Sequence, residues 1–322
     1  MIGVVGAGNF GTAIAHCLAR NGHRVTLVSR NQAGVDALNR SDTMIGYPTV
    51  AKPDTLDATT DIMALKNVHY IVLSVPTQYL RLFLTETVSL YDGQSFLLLQ
   101  KGIEKETAQL PSHILQSFGI HALTVLGGPN FADEILTEVP TATTLASKDL
   151  TLAVRWAELL QSPTFRPYTH QDMMGVHVGG AIKNVIAIAC GVVKGLALGE
   201  NTLATVITRG LAEMVRLGVA MGAAAETFLG LSGIGDLTLT CHSLKSRNVR
   251  FGVALGTNQP WDEAVQGTAE GFHTAFSIET LMRQYAIDMP ICASVIRLVR
   301  KEVSAQEAIS TLMNRTLKHE GE

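Results

Sequence analysis

The chain predicts an α/β protein, a doubly wound sheet followed by an all-α second part, and three observations carry that prediction. Glycines 6, 8 and 11 form a G-x-G-x-x-G run directly after the apolar segment Ile2–Val5 and at the mouth of a helix, the context that makes such a run a Rossmann-like dinucleotide loop. Short apolar segments alternate with helical ones as far as about residue 170. From about Val178 the β-rich runs vanish and long helix-favouring stretches replace them.

The elements follow in order. Ile2–Val5 and Arg24–Ser29 read as strands with a helix from about Gly11 to Asn21 between them. His69–Val75 is an apolar strand closed by Pro76. Ser95–Gln100 precedes Lys101-Gly102, and His121–Leu126 precedes Gly127-Gly128-Pro129. Ala142–Ala146 and Arg166–Thr169 extend the sheet. Continuous apolar runs of this kind indicate parallel strands buried on both faces, and ligands of such sheets lie beyond the carboxyl ends of the strands. Gly179–Leu198, Ala204–Met221 and Thr274–Tyr285 favour helix, and Asn258-Gln-Pro-Trp261 and Glu270-Gly-Phe272 break that pattern. A boundary near 175–180 divides a dinucleotide-binding domain, 1–177, from a helical substrate domain, 178–322.

Composition narrows the function. A chain of 322 residues with 47% apolar and 16% charged residues can bury a large core. A net charge of −3 gives no electrostatic case for nucleic acid. The longest apolar run, Val185 to Leu198, is interrupted by Gly191, Lys194 and Gly195, so no stable membrane insertion is expected. The first strand starts at the second residue, so no signal or transit peptide is expected. Cys17, Cys190, Cys241 and Cys292 form no C-x-x-C pair and read as reduced packing residues of a cytoplasmic protein, with no metal site.

In the first loop Gly6 permits the tight turn, Gly8 lets backbone approach a pyrophosphate, and Gly11 lets helix lie close to strand. The second strand ends at Ser29-Arg30-Asn31 without the acid that usually binds both ribose hydroxyls. Arg30 either pairs with a ribose 2′-phosphate, which favours NADP(H) without excluding NAD(H), or is a solvent-exposed residue.

Three further segments carry candidate chemistry. Lys183, with Asn184, interrupts an apolar helix in its first turns, with Gly179 and Gly180 one turn back. A buried amine there has a lowered pKa and serves as a general base; the alternative is a snorkelling flank lysine. Lys194, about three turns on, reads as structural. Asp236 follows Gly233-Ile-Gly235 and either caps a helix or orients an ammonium group. Ser246-Arg247-Asn248 lies in the basic run Lys245–Arg250 and forms either a clamp for a small phosphate or a solvated basic face. Arg209 and Glu213, at i and i+4, suggest a salt bridge.

Taken with Gly6-x-Gly8-Asn9-Phe10-Gly11, Lys101-Gly102-Ile-Glu104, Gly128-Pro-Asn130-Phe-Ala132 and Ile207–Met214, these segments resemble, in order and over nearly the whole chain, the bacterial NAD(P)-dependent sn-glycerol-3-phosphate dehydrogenases. The resemblance implies a homodimer that interconverts dihydroxyacetone phosphate and sn-glycerol 3-phosphate for phospholipid synthesis. It implies Lys183 as proton acceptor, with Asp236 and Asn184 holding the ammonium and the substrate hydroxyls. Lys101, Gly128, Asn130, Asp236, Ser246, Arg247 and Asn248 match positions around the substrate. Asn9, Phe10, Arg30, Tyr47, Lys101, Ala132, Arg247 and Glu270 match positions that contact NADP(H) or NAD(H). The family commonly has Ser-Trp at Asn9-Phe10 and Ser at Asn130, which bears on affinity. A related 3-hydroxy-acid dehydrogenase and a catalytically silent nucleotide sensor are the alternatives; a sensor is free to lose Lys183 and Asp236, and both are present.

Overall fold

The computed structural model describes residues 1–260, 269–317 and 319. The first half alternates strand and helix: β1 (Ile2–Val5), α1 (Asn9–Arg20), β2 (Val25–Val28), α2 (Gln32–Arg40), a small antiparallel pair β3 (Thr43–Met44) and β4 (Tyr47–Ala51), then β5 (Leu56–Thr59). It continues through β6 (Tyr70–Leu73), α3 (Thr77–Thr87), β7 (Ser95–Leu98), α4 (Pro111–Ser117), β8 (Leu123–Gly127), α5 (Ala132–Leu136), β9 (Thr141–Ala146), α6 (Leu150–Leu160) and β10 (Phe165–His170). The main sheet has the order β10-β9-β8-β7-β6-β1-β2-β5, and the direction of winding reverses between β1 and β6. The glycine loop after β1 therefore sits at the switch point, where open α/β sheets take their ligands.

Two features depart from the sequence expectation. The sheet is mixed, because β8 and β9 pair antiparallel. Between them α5 has only 5 residues. At about 1.5 Å per residue it is too short to carry the chain back along a strand. Apolar content did not reveal this, since both strands are buried whichever way they run. The other departure is the edge strand β5, Leu-Asp-Ala-Thr, which alternates buried and exposed residues and so lacks a continuous apolar run.

The second half is helical: α7 (Met173–Gly195), α8 (Glu200–Ala220), α9 (Asp236–His242), α10 (Arg247–Gly256), α11 (Glu270–Tyr285), α12 (Pro290–Val299) and α13 (Ala305–Met313). Glu270-Gly271-Phe272 starts α11 rather than breaking the helical pattern, and Trp261 lies outside the described residues. Asp172 caps α7, accepting from the Gly175 N–H at 2.8 Å with one carboxylate oxygen and from the Thr227 hydroxyl at 2.6 Å with the other. The expected boundary at 177/178 falls inside the first turns of this helix. Among the described residues α7 is the one helix long and apolar enough, by length and composition, to cross a membrane, yet 94% of its most apolar 18-residue window is buried inside the protein. It forms the axis of the second core, which includes Val178, Ile182, Val185, Ile186, Met214 and Phe228.

Against α7 packs α10, at backbone contact. A Cβ on Gly252 would collide with the Ile188 carbonyl oxygen and come within 2.8 Å of the Gly191 Cα; one on Gly256 would come within 2.7 Å of the Val192 carbonyl oxygen. Nothing larger than hydrogen fits these crossings, so the glycines fix how closely α10 and its first turn approach α7.

Candidate active site

Lys183 lies about three turns into α7, deeper than its expected place in the first turns. Its Nζ donates to Asp236 Oδ1 at 2.5 Å and to the Thr240 hydroxyl at 2.8 Å. The side chain is 8% exposed, which excludes the snorkelling alternative. Asp236 opens α9 directly after a π-helical turn, Leu231–Gly235, in which the Gly235 N–H donates to the Gly230 carbonyl at 3.2 Å. That wider turn aims the carboxylate at α7 rather than at its own helix end.

The second oxygen of Asp236 accepts from Lys101 Nζ at 2.8 Å, and the same ammonium donates to the Gly128 carbonyl at 2.9 Å. Two lysines from opposite halves of the chain thus share one carboxylate. Lys101 Nζ also stands 5.7 Å from the centroid of the Phe10 ring, beside the glycine loop. The Lys101 stem runs over Gly180, where a Cβ would make ordinary contact, 3.4 Å from Lys101 Cγ.

Burial brings the Lys183 amine down to about 8, with Asp236 pulling upward against it and Lys101 adding to the downward push. Burial works upward on Asp236, but the charges and hydrogen bonds of Lys101 and Lys183 outweigh it and hold the carboxyl below its ordinary range. The pair is therefore ionised near neutrality, with an amine that titrates close to physiological pH.

Asn184 does not reach the ammonium, contrary to expectation. Its amide nitrogen donates to the Lys101 carbonyl at 2.8 Å and to the Gly180 carbonyl at 3.3 Å, while its oxygen accepts from Asn248 Nδ2 at 2.9 Å. Asn248 Oδ1 in turn accepts from the Gly271 N–H at 3.0 Å. Both amides are engaged with protein partners, and Asn248 also stands in the first turn of α10, where backbone N–H groups face out of the helix end. Ser246 caps that helix, accepting from the Val249 N–H at 3.4 Å, and exposed Arg247 is the first helical residue. Asn130 is likewise engaged: its nitrogen donates to the Ala142 carbonyl at 3.1 Å and its oxygen accepts from the Thr143 hydroxyl at 2.9 Å. It shapes the loop that presents the Gly128 carbonyl, where Gly128 takes φ 133°.

The glycine loop fits a dinucleotide phosphate. Gly6 adopts φ 102°, and a Cβ on Gly11 would collide with the Gly6 carbonyl oxygen. In front of Gly8 a Cβ would meet nothing within 4 Å, and no side chain caps α1, so the N–H groups of Asn9, Phe10 and Gly11 remain for an anion. Phe10, Tyr47 and Ala132 are half-buried against the same core cluster. At the end of β2 Arg30 is exposed, between Ser29 and Asn31, the residue that caps α2.

Glu270 fills the space over Gly102, where a Cβ would collide with its Oε2, and that oxygen accepts from the Thr77 hydroxyl at 3.3 Å. Burial pushes this carboxyl up, with Thr77 and Arg247 drawing it back. Arg209 is not what holds Glu213: its two carboxylate oxygens accept from the Ile291 and Cys292 N–H groups at the start of α12, at 2.7 and 3.0 Å. Sequence reading gave Thr240 no role, although its i+4 spacing from Asp236 puts both on one face of α9.

A nucleotide-binding sheet joined to a helical half by a lysine–carboxylate–lysine centre defines a dinucleotide-dependent oxidoreductase. The models for the N-terminus and the C-terminus of NAD-dependent glycerol-3-phosphate dehydrogenase match residues 1–153 and 172–310. The chain is 44% identical to the NAD(P)+-linked glycerol-3-phosphate dehydrogenase of Corynebacterium diphtheriae, over 99% of each chain. It is 41% identical to that of Caulobacter vibrioides, over 99% of this chain and 98% of the relative. The crystal structure of glycerol-3-phosphate dehydrogenase from Coxiella burnetii superposes with a TM-score of 0.91 at 35% identity, covering 98% of each chain. The chain belongs to the NAD-dependent glycerol-3-phosphate dehydrogenase family.

Proposed function

We propose that the chain interconverts dihydroxyacetone phosphate and sn-glycerol 3-phosphate with Lys183 as general acid and base. The observation that carries this reading is the buried ammonium of Lys183, tied to Asp236 and Thr240 and titrating near 8. A dinucleotide bound at the glycine loop supplies or accepts the hydride. In the reductive direction negative charge grows on the substrate's keto oxygen, and Lys183 donates its proton there. Lys101, beside it, contributes a second positive charge that does not need to transfer. In the oxidative direction the neutral amine removes the hydroxyl proton. Asp236 keeps both lysines in place throughout.

The phosphate of the substrate is assigned to the start of α10, where Arg247 and the free N–H groups of the first turn are available. Holding the phosphate remote from the reacting carbon lets binding energy serve orientation. Asn184 and Asn248 act by tying α7, α10, α11 and the Lys101 backbone together. Arg30 with the start of α2 is assigned to a ribose 2′-phosphate, so NADP(H) is the preferred carrier. Residues 1–177 would hold the dinucleotide and 178–322 the substrate. The homodimer, the cytoplasmic setting and the supply of phospholipid synthesis rest on the family resemblance; four buried free thiols are in keeping with a reducing compartment.

Lys183→Ala tests the central assignment. Turnover with dihydroxyacetone phosphate is expected to fall by about 10²–10⁴-fold while nucleotide affinity is kept. Near-normal turnover would reject Lys183 as the proton carrier.

A further inference from the structure

We propose that Lys245 is a positioning residue that straps the phosphate-holding end of α10 to the nucleotide-binding half of the protein. Its Nζ donates to Asp133 Oδ2 at 2.8 Å and to Glu134 Oε1 at 3.1 Å, and stands 5.5 Å from the centroid of the Phe131 ring. All three partners open α5, next to Asn130 and Ala132; Lys245 directly precedes Ser246, which caps α10. The turn that presents it is tight, with the Lys245 N–H donating to Ser243 Oγ at 3.1 Å and the Ser246 N–H to the Ser243 carbonyl at 3.1 Å. One side chain thus bridges the loop that carries Gly128 and Asn130 and the turn that carries Ser246, Arg247 and Asn248.

The proton-transfer chemistry does not use this group. Its value is geometric: without it α10 keeps its glycine crossing with α7 and the Asn248–Asn184 bond, but the turn that leads into it loses its tie to the start of α5. The inference rests on the assignment of the substrate phosphate to Ser246, Arg247 and Asn248. An exposed cluster of this kind is modest in strength and screened by salt. Its loss should therefore appear in KM for the phosphate substrate and not in the chemical step.

Steady-state kinetics of dihydroxyacetone phosphate reduction test it. In Lys245→Met the KM for that substrate is expected to rise about three- to tenfold, with kcat and the KM for NADPH within about twofold of wild type. Lys245→Arg should stay near wild type. At about 0.5 M KCl the gap between wild type and Lys245→Met should shrink, because the wild-type bridge is itself screened. Lys245→Glu should raise KM further, and adding Glu134→Lys to it should recover part of the loss. An unchanged KM in Lys245→Met, or no recovery in the charge-swapped pair, overturns the strap. Arg247→Ala run alongside separates the two claims. Its KM should rise sharply; if it does not, the phosphate assignment itself fails. If it rises while Lys245→Met is silent, only the strap fails.

Discussion

Asp236→Asn isolates what one carboxylate does for two lysines. The substitution keeps the shape of the side chain and removes the charge that opposes burial at Lys183, leaving the amine desolvated and beside Lys101. An opposite charge at this range is worth about 1–3 pH units, so the Lys183 amine should drop from about 8 to roughly 6 for a two-unit loss. That is about 2.7 kcal/mol of differential stabilisation of the ammonium. The protonated fraction at pH 7 then falls about tenfold, and at pH 8 about fiftyfold. Lowering the pH to about 5.5 should return most of the proton donor, leaving only a pH-independent loss from poorer orientation. The measurement is kcat/KM for dihydroxyacetone phosphate against pH, with thermal melting and NADPH binding as checks on folding. The reductive limb should lie near 8 in wild type and shift acidward by about two units in the variant. A limb that stays near 8, or a loss equal at every pH, would refute the claim that Asp236 sets the protonation of Lys183.

Two other variants probe the scaffold and the carrier. Gly252→Ala places a methyl group against the Ile188 carbonyl, and should destabilise the fold by about 1–3 kcal/mol and raise the KM for dihydroxyacetone phosphate as α10 is displaced; melting with kinetics checks both. Arg30→Glu should lower kcat/KM with NADPH by about tenfold or more while sparing or improving NADH; an unchanged ratio of the two would place the 2′-phosphate elsewhere.

The sequence made the outline of this site legible because glycines and strand ends are local signals. The loop at Gly6–Gly11 and the strand preceding Lys101 could be read from neighbours in the chain. Lys183 stood out as a charge in an apolar helix, and Asp236 as an acid after glycines. What could not be read is how side chains divide their hydrogen bonds. Asn184 and Asn130 are polar residues in the expected places, yet their amides are taken up by protein partners that are not their neighbours in sequence: the Lys101 carbonyl and the Asn248 amide for one, the Ala142 carbonyl and the Thr143 hydroxyl for the other. Glu213 is similar. Helical spacing offered it Arg209, but two N–H groups at the start of α12 satisfy both of its oxygens. The direction of β9 and the existence of β5 depended on connection length and on edge exposure, which apolar runs do not report.

The burial of α7 has a consequence for how the chain is made. This helix leaves the ribosome with an 18-residue window of mean hydropathy 1.7, and that apolar surface is concealed only by its neighbours in the finished fold. Part of its covering is α10, whose Val249 carbonyl and Gly252 lie against Gly191 and which is synthesised well after it. A nascent chain that has not yet passed residue 256 therefore lacks part of the covering of α7 and exposes apolar surface to other copies. Truncation before α10 removes more than the phosphate-holding turn: it uncovers the apolar face of a core helix that α10 conceals, so aggregation of such a fragment is the expected outcome.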